Sequence, residues 1–461
     1  MGPLLNESGN LEGLSTDKAR DLAQTLRRIL EEVEFDRLNR ELQHQLFRRD
    51  YDRAPYPFHS SPDRAVVDRS IIRRALESYV RGVGLRMTVR QKHGLELFMF
   101  AESLTRQELE VLFGEESRDR IDDFLNAGLL VQTDERIRMN GLSILSKGLG
   151  RENSGIVIYI LADSLYRVGP EQDRLERVYV GADSYDLVSK LQDLDWLSGT
   201  GIDMGSGSGI QLIAALKLFS GLKKMVGFEK DRRAINVSKF NAYLNGVGDR
   251  VTIVENEREL EAAIEPNGNQ VDFAISNPPF LPVPESINVD PEDVPALSKA
   301  KAIRIVDKES SPRISLRDLW PMSGWGGADG LTVLKPMLGV LFPVIRPSGR
   351  IIVFGQFGGN AIGPAKIAEF MGGIPGWQYA WEPLKPYAYP IDNRWNVMPS
   401  FSSVESMANW VIWRIIGWCP ELVQLLHTGF MMKYSRRIVG IYQSLGFTRF
   451  HIGFVNLRKA G

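Results

Sequence analysis

The sequence predicts an α/β protein in which a mostly parallel sheet is covered by helices and preceded by a largely helical, winged-helix-like region. Three observations carry this. From Val178 onward, short β-branched runs alternate with segments of helical period. A glycine cluster, Asp203 to Gly209, falls at the first strand-to-helix junction. Upstream, apolar residues recur at three- and four-residue spacing between charged positions.

Composition narrows the class. The chain has 461 residues, too many for one ordinary domain. With 43% apolar and 25% charged residues, it is not dominated by disorder. Lys and Arg number 56 against 57 Asp and Glu, so no global positive charge signals a nucleic-acid partner. The single cysteine, Cys419, excludes an intrachain disulfide and fits a cytoplasmic location. No basic segment followed by an apolar run opens the sequence, so no secretory leader is expected. The most apolar stretch, Trp410 to Met432, is interrupted by Arg414, Pro420, Glu421 and His427, and no spanning helix is expected there. The five histidines show no ligand spacing, and no metal is expected.

Three domains follow from the order of elements. Residues 1–62 read as a helical segment, with Leu22, Leu26, Ile29, Leu30, Val33, Leu38, Leu42 and Leu46 on one face and Ser15 or Thr16 as cap. Residues 63–175 read as winged-helix-like. LTRQELEVLFG forms a helix ending at Gly114, and SRDRIDDFLNAGLL forms a second helix with Gly128 near its end. VQTDERIRMNGLSILS then forms a hairpin turning near Asp134-Glu135. The second helix would expose Arg118, Asp119, Arg120, Asp122 and Asp123, and three acids repel phosphate. A docking or homodimerisation module is expected instead of a DNA reader. Residues 176–461 read as the sheet domain, with strands GTGIDM, KMVGFE, RVTIVE, VDFAISN and RIIVFGQF, and a terminal antiparallel strand in GFTRFHIGFVNLRK near the sheet edge. Two stretches, 281–322 and 373–433, read as insertions. The second holds six of the nine tryptophans; Trp410, Trp413, Trp418, Phe430, Met431 and Met432 admit packing, substrate-lining or partner-binding roles.

The first chemical motif is Asp203-Met204-Gly205-Ser206-Gly207-Ser208-Gly209. Glycines allow a sharp turn and close ligand approach, and free amides at the helix start would offer donors. Such a loop suits a dinucleotide or S-adenosylmethionine. Glu229, followed by Lys230, ends the next strand about 20 residues on, where a carboxylate accepts from ribose hydroxyls in either case. Asn277-Pro278-Pro279-Phe280, after the fourth strand, separates the two. Consecutive prolines stiffen the backbone and remove amide donors, leaving carbonyls as acceptors. Asn277 adds a side-chain acceptor, so Asn277 and the Pro278 carbonyl can hold both hydrogens of an NH2 group. Phe280 can lie against a planar group. A dehydrogenase has no use for this arrangement, and an enzyme methylating a planar nitrogen does.

These residues resemble the class I S-adenosylmethionine-dependent methyltransferases with an NPPF-type motif. Within them the chain is similar to the release-factor glutamine methyltransferase type. A second segment, Gly326-Gly327-Ala328-Asp329-Gly330 before a helix and strand, adds to the resemblance, which covers about Tyr179 to Gly358. It implies a seven-stranded Rossmann-like sheet, cofactor contacts from Asp203, Gly205, Gly207 and Glu229, and Asn277 holding the target nitrogen. Ser206, Gly209, Lys230 and Asn277 belong to the same cofactor set. Glu255 and Asn256, after the third strand, occupy the position that flanks adenine in this fold. Asp183 and Ser184 stand where they can close over the methionine end or cap a helix. The resemblance departs from the family in its long amino-terminal region and its tryptophan-rich insertion.

The expected reaction is in-line attack by nitrogen on a sulfonium methyl, with alignment as the main contribution of the enzyme. The expected acceptor is a small molecule or a protein glutamine. The alternatives are an exocyclic amine of RNA and a non-enzymatic, nucleotide-sensing winged-helix regulator; a nicotinamide oxidoreductase ranks below both.

Overall fold

The computed structural model describes residues 11, 13–47, 87–114, 117–150, 155–163, 178–282, 284–289, 314–315, 324–384, 389–391 and 437–460. Cys419 and the Trp410–Met432 cluster lie outside these residues. The described residues form two compact units, 11–273 and 274–460.

The first unit opens with α1 (Thr16–Glu32), whose cap Ser15 accepts from the Lys18 amide at 3.3 Å. Glu34, at φ 53°, breaks the chain before α2 (Phe35–Phe47). Leu22, Leu26, Ile29, Leu30, Val33 and Leu38 are buried, as their spacing predicts.

Next come α3 (Val89–Gly94), which runs into a π-helical turn over Leu95–Met99, then β1 (Leu104–Thr105), α4 (Arg106–Phe113) and α5 (Ser117–Asn126). A hairpin follows, β2 (Leu130–Thr133) and β3 (Arg136–Met139), turning at Asp134 with φ 55°. Thr105 and Glu108 form a capping box on α4, and Gly114 ends that helix at φ 84°. β1 pairs with β3, closing a three-stranded antiparallel sheet. The predicted helix–helix–hairpin order is therefore present, but the hairpin is shorter than VQTDERIRMNGLSILS. Asn140 donates to the Gly128 carbonyl at 2.9 Å and Gly141 turns at φ 70°, so a separate hairpin of β4 (Leu142–Leu149) and β5 (Ile156–Asp163) starts there.

The expected open charged face on α5 is corrected as well. Lys18 of α1 donates to Asp123 at 2.5 Å, and Arg120 pairs with Asp21 of α1 and with Asp123. Two of the five positions expected to be exposed are thus taken up by α1.

The remaining elements of this unit are α6 (Ala182–Gln192), β6 (Gly199–Met204), α7 (Ile210–Leu218), β7 (Leu222–Phe228), α8 (Arg232–Leu244), β8 (Val251–Val254), α9 (Glu257–Ile264) and β9 (Val271–Ser276), whose last residues enter the second unit. β6, β7 and β8 pair in parallel. α1 docks on α8: Arg20 reaches Asp249 at 2.6 Å and lies over Tyr243, and Arg27 donates to the Leu244 carbonyl at 3.2 Å. The β4–β5 hairpin is tied to α8 by Asn241 and Asn245, each pairing with both backbone groups of one β5 residue, Leu161 and Tyr159 respectively.

The second unit contains the short antiparallel pair β10 (Asn288–Val289) and β11 (Ile314–Ser315), then α10 (Leu334–Val344), β12 (Ile345–Gly359), α11 (Ala365–Gly372), β13 (Trp377–Pro383), β14 (Tyr389–Pro390), α12 (437–444) and β15 (Arg449–Lys459). Hydrogen bonds order the main sheet β13-β15-β12-β9-β6-β7-β8, with β14 added to β15. This is the expected Rossmann-like α/β sheet with seven strands on its path. β15 is antiparallel to both neighbours and lies one strand in from the edge. The edge strand β13 falls inside a stretch that reads as irregular in sequence; its alternating half-buried Trp377, Tyr379 and Trp381 are an edge-strand pattern.

Candidate functional site

The glycine loop leaves β6 at Asp203-Met204. Gly205, Gly207 and Gly209 take φ values of 75°, 51° and 79°, a backbone that disfavours any side chain. At Gly209 a Cβ would stand 2.4 Å from the Ser238 hydroxyl; at Gly207 the nearest group is the Tyr179 carbonyl at 4.0 Å, which leaves a ligand room to approach.

The loop amides correct one expectation. Gly205 and Ser206 donate to the Phe228 carbonyl at 2.9 and 3.1 Å, Gly209 donates to the Ser206 carbonyl at 2.7 Å, and Gly207 donates to Glu229 Oε2 at 2.8 Å. They stitch the loop around the end of β7. These four amides are not free donors awaiting a pyrophosphate.

Acceptors are what the site has to spare. Asp203 is 1% exposed, and its carboxyl faces the Leu212 amide in the first turn of α7. Desolvation pushes its carboxyl up to about 8, against the Leu212 amide, which lowers it, and with the Glu229 charge adding to the rise. Glu229 Oε1 accepts from the Lys230 and Asp231 amides at 2.7 and 3.0 Å, so the carboxylate is held in a fixed orientation at the end of β7. Lys230 contributes its backbone there and its side chain is exposed. Ser206 is buried at the base of the loop.

Asn256 is the N-cap of α9: its Oδ1 accepts from the Glu259 amide at 3.0 Å and its Nδ2 donates to Glu259 at 2.8 Å. Glu255 lies 3.6 Å from Arg232. Ser184 accepts from the Gly181 amide at 3.2 Å at the start of α6, and Asp183 accepts from the Tyr179 hydroxyl at 2.7 Å.

Asn241 is a residue that the sequence reading missed. It is fully buried and donates to the Ser208 carbonyl and the Leu161 carbonyl, both at 2.9 Å. One amide thus anchors both the glycine loop and β5. The available signal was two asparagines four apart, Asn241 and Asn245, on the apolar face of a helix.

In the second unit, Asn277-Pro278-Pro279-Phe280 continues directly from β9, with Pro278 buried and the other three partly exposed. Leu281 donates to the Gly324 carbonyl at 2.8 Å and accepts from the Gly326 amide at 2.9 Å. A Cβ on Gly326 would stand 2.7 Å from the Phe280 carbonyl carbon, and one on Gly330 would stand 2.9 Å from the Phe280 oxygen and 3.0 Å from the Gln356 oxygen. These contacts explain two glycines of the Gly326–Gly330 segment. Asp329 accepts from the Leu331 amide at 2.8 Å, a turn-forming role. The Phe280 ring meets Phe354 edge-on at 5.4 Å.

With this geometry established, the comparisons with known proteins fall into place. A family model described as ribosomal protein L11 methyltransferase matches residues 188–277, a span that begins in α6, includes the glycine loop and Glu229, and ends on Asn277. The ribosomal protein L11 methyltransferase of Glaesserella parasuis is 51% identical over 63 residues, 14% of this chain and 21% of that protein. Its counterpart in Escherichia coli is 46% identical over 72 residues, 16% of this chain and 24% of that protein. The chain therefore spans about a quarter or less of the length of these curated relatives. A crystal structure of a ribosomal protein L11 methylase from Lactobacillus delbrueckii subsp. bulgaricus is 15% identical, with 45% of this chain and 75% of that chain covered and a TM-score of 0.27.

Proposed function

We propose that this chain is an S-adenosylmethionine-dependent methyltransferase that acts on a planar amide or amino nitrogen. The observation that carries the reading is the glycine loop. The amides of Gly205, Ser206, Gly207 and Gly209 are consumed within the protein, beside the buried carboxyl of Asp203 and the fixed carboxylate of Glu229. That donor–acceptor balance suits a nucleoside with a cationic sulfonium and amino group better than it suits a pyrophosphate. The match over residues 188–277 supports the same cofactor.

In this reading Gly205, Ser206, Gly207 and Gly209 form the wall against which the cofactor lies. Asp203 and Glu229 supply acceptors, with Glu229 facing the ribose hydroxyls. When bound, the cofactor supplies an electrophilic methyl on a good leaving group. The chain contributes alignment. Asn277 and the Pro278 carbonyl accept the two N–H hydrogens of the acceptor, Pro279 keeps the loop stiff, and Phe280 lies against the planar group. Holding both hydrogens aims the nitrogen lone pair at the methyl carbon, an interaction that strengthens as the nitrogen pyramidalises.

The acceptor is a small molecule or a protein side chain, glutamine included, and ribosomal protein L11 is the first protein to try because the matched relatives carry its name. The region before the sheet is a winged-helix-like docking or homodimerisation module. The occupied charges of α5 support this over DNA reading. Among the described residues no helix is long and apolar enough to cross a membrane, and the single cysteine supports a cytoplasmic setting.

Calorimetry with S-adenosylmethionine, S-adenosylhomocysteine and NAD tests the reading. Binding of the first two, weakened in Glu229→Ala, is expected; binding of NAD alone refutes it. Labelled methyl transfer to L11, glutamine peptides and RNA then ranks the acceptors.

A further inference from the structure

The Asn277–Phe280 loop raises a problem of support. Pro278, Pro279 and Pro282 lack N–H groups, so this segment has few amides with which to tie itself to the protein. It must be held largely through its carbonyls. Two ties come from the 324–330 segment, at Leu281 and against the Phe280 backbone. A third comes from α12. The Tyr442 hydroxyl, 160 residues further along the chain, donates to the Pro282 carbonyl. Tyr442 is 0% exposed, its ring inclined at 28° to Phe447 with centroids 6.3 Å apart and edge-on to Phe450 at 5.0 Å. Burial pushes the hydroxyl above the usual tyrosine range, so it remains a donor.

We infer that Tyr442 is a positioning residue for the Asn277–Phe280 loop, acting through the Pro282 carbonyl to fix where Asn277 presents its acceptors. The rings of Phe447 and Phe450 pack against the tyrosine, and the hydrogen bond transmits that rigidity to a segment with few amides of its own. What the loop does rests on the methyltransferase reading; how it is held does not. A displacement of about 1 Å at a positioning element costs on the order of a hundredfold in rate, so the brace matters most for turnover and least for cofactor affinity.

The test is Tyr442→Phe in the full chain, which keeps the ring and its packing. Hydrogen exchange read by mass spectrometry is expected to show the Phe280 and Leu281 amides exchanging about tenfold faster, with β12 and β15 unchanged. S-adenosylmethionine affinity is expected to stay within about twofold, while kcat for methyl transfer to ribosomal protein L11 falls about tenfold at unchanged KM for the cofactor. Unchanged exchange at Phe280 and Leu281 overturns the inference, since the hydroxyl then merely satisfies itself in the core. A uniform rise across β12 and β15 overturns it too, because Tyr442 then serves the whole unit. If wild-type protein neither binds S-adenosylmethionine nor methylates L11, the cofactor or acceptor reading fails, and the exchange comparison still decides the role of Tyr442.

Discussion

The two chemical loops of this protein are built in opposite ways. The glycine loop after β6 is nearly self-contained: its turn comes from its own glycines, and its amides bond to Phe228, Ser206 and Glu229, all within a short stretch of chain. The Asn277–Phe280 loop after β9 is stiff but depends on distant chain. Gly324, Gly326, Gly330 and Tyr442 fix it. A turn that needs positive φ can encode itself in glycines, whereas a proline-rich segment trades away the donors that would anchor it. The first loop therefore presents carboxylates on a locally determined frame. The second presents amide and carbonyl acceptors on a frame set by long-range packing.

Substitutions can break this contrast. The largest effect is expected at Asn277→Ala, which removes an acceptor from the nitrogen site: methyl transfer should fall about 10²–10³-fold, with S-adenosylmethionine affinity by calorimetry nearly unchanged. A comparable loss in affinity rather than rate would mean that Asn277 serves the cofactor. Asn241→Ala attacks a long-range tie of the glycine loop. It strands the Leu161 backbone pair and the Ser208 carbonyl, and urea unfolding should show a loss of about 2–4 kcal/mol. Glu229→Ala should weaken S-adenosylmethionine binding by about one to two orders of magnitude, as expected for hydrogen bonds to a charged group. Gly330→Ala, at φ 77° and wedged between two carbonyls, should cost about 1–3 kcal/mol. It should disturb the Phe280 loop while leaving the cofactor loop intact.

A further test sharpens the contrast through pH. Asp203 has its carboxyl raised by burial to about 8, from an ordinary value of 3.8. The folded state therefore holds a proton that the unfolded state has released. The stability this contributes is present in full below 3.8 and is lost as pH rises through about 8. Asp203→Asn should flatten that decline, measured as urea midpoints at about pH 5 and pH 8.5. A decline that persists unchanged in the variant assigns the slope to other groups.

Much of the sheet was legible from local pattern. GTGIDM is β6 to the residue, and the expected strand VDFAISN overruns β9 by Asn277 alone, where the proline-rich loop takes over. The glycine turn and the Asn277–Phe280 loop were legible for the same reason, since each depends on backbone chemistry that specific residue types impose. β13 was not, because its aromatic alternation sits in a stretch whose polar, proline-rich surroundings read as irregular. The hairpin boundary at Asn140-Gly141 was not either, because a bond to Gly128 sets it.

The sequence by itself determined the residues able to turn, stiffen and accept: Gly205, Gly207 and Gly209, the two carboxylates, and the prolines after Asn277. Their chemistry is carried by the residue and its neighbours. Only the tertiary structure decided that four of the loop amides are spent internally, that α1 occupies Arg120 and Asp123 of α5, that Asn241 joins the glycine loop to β5, and that Tyr442 reaches Pro282. Each of these is a hydrogen bond or ion pair between residues that the chain brings together by folding. Hydrophobic period records that a residue is buried, but not against what.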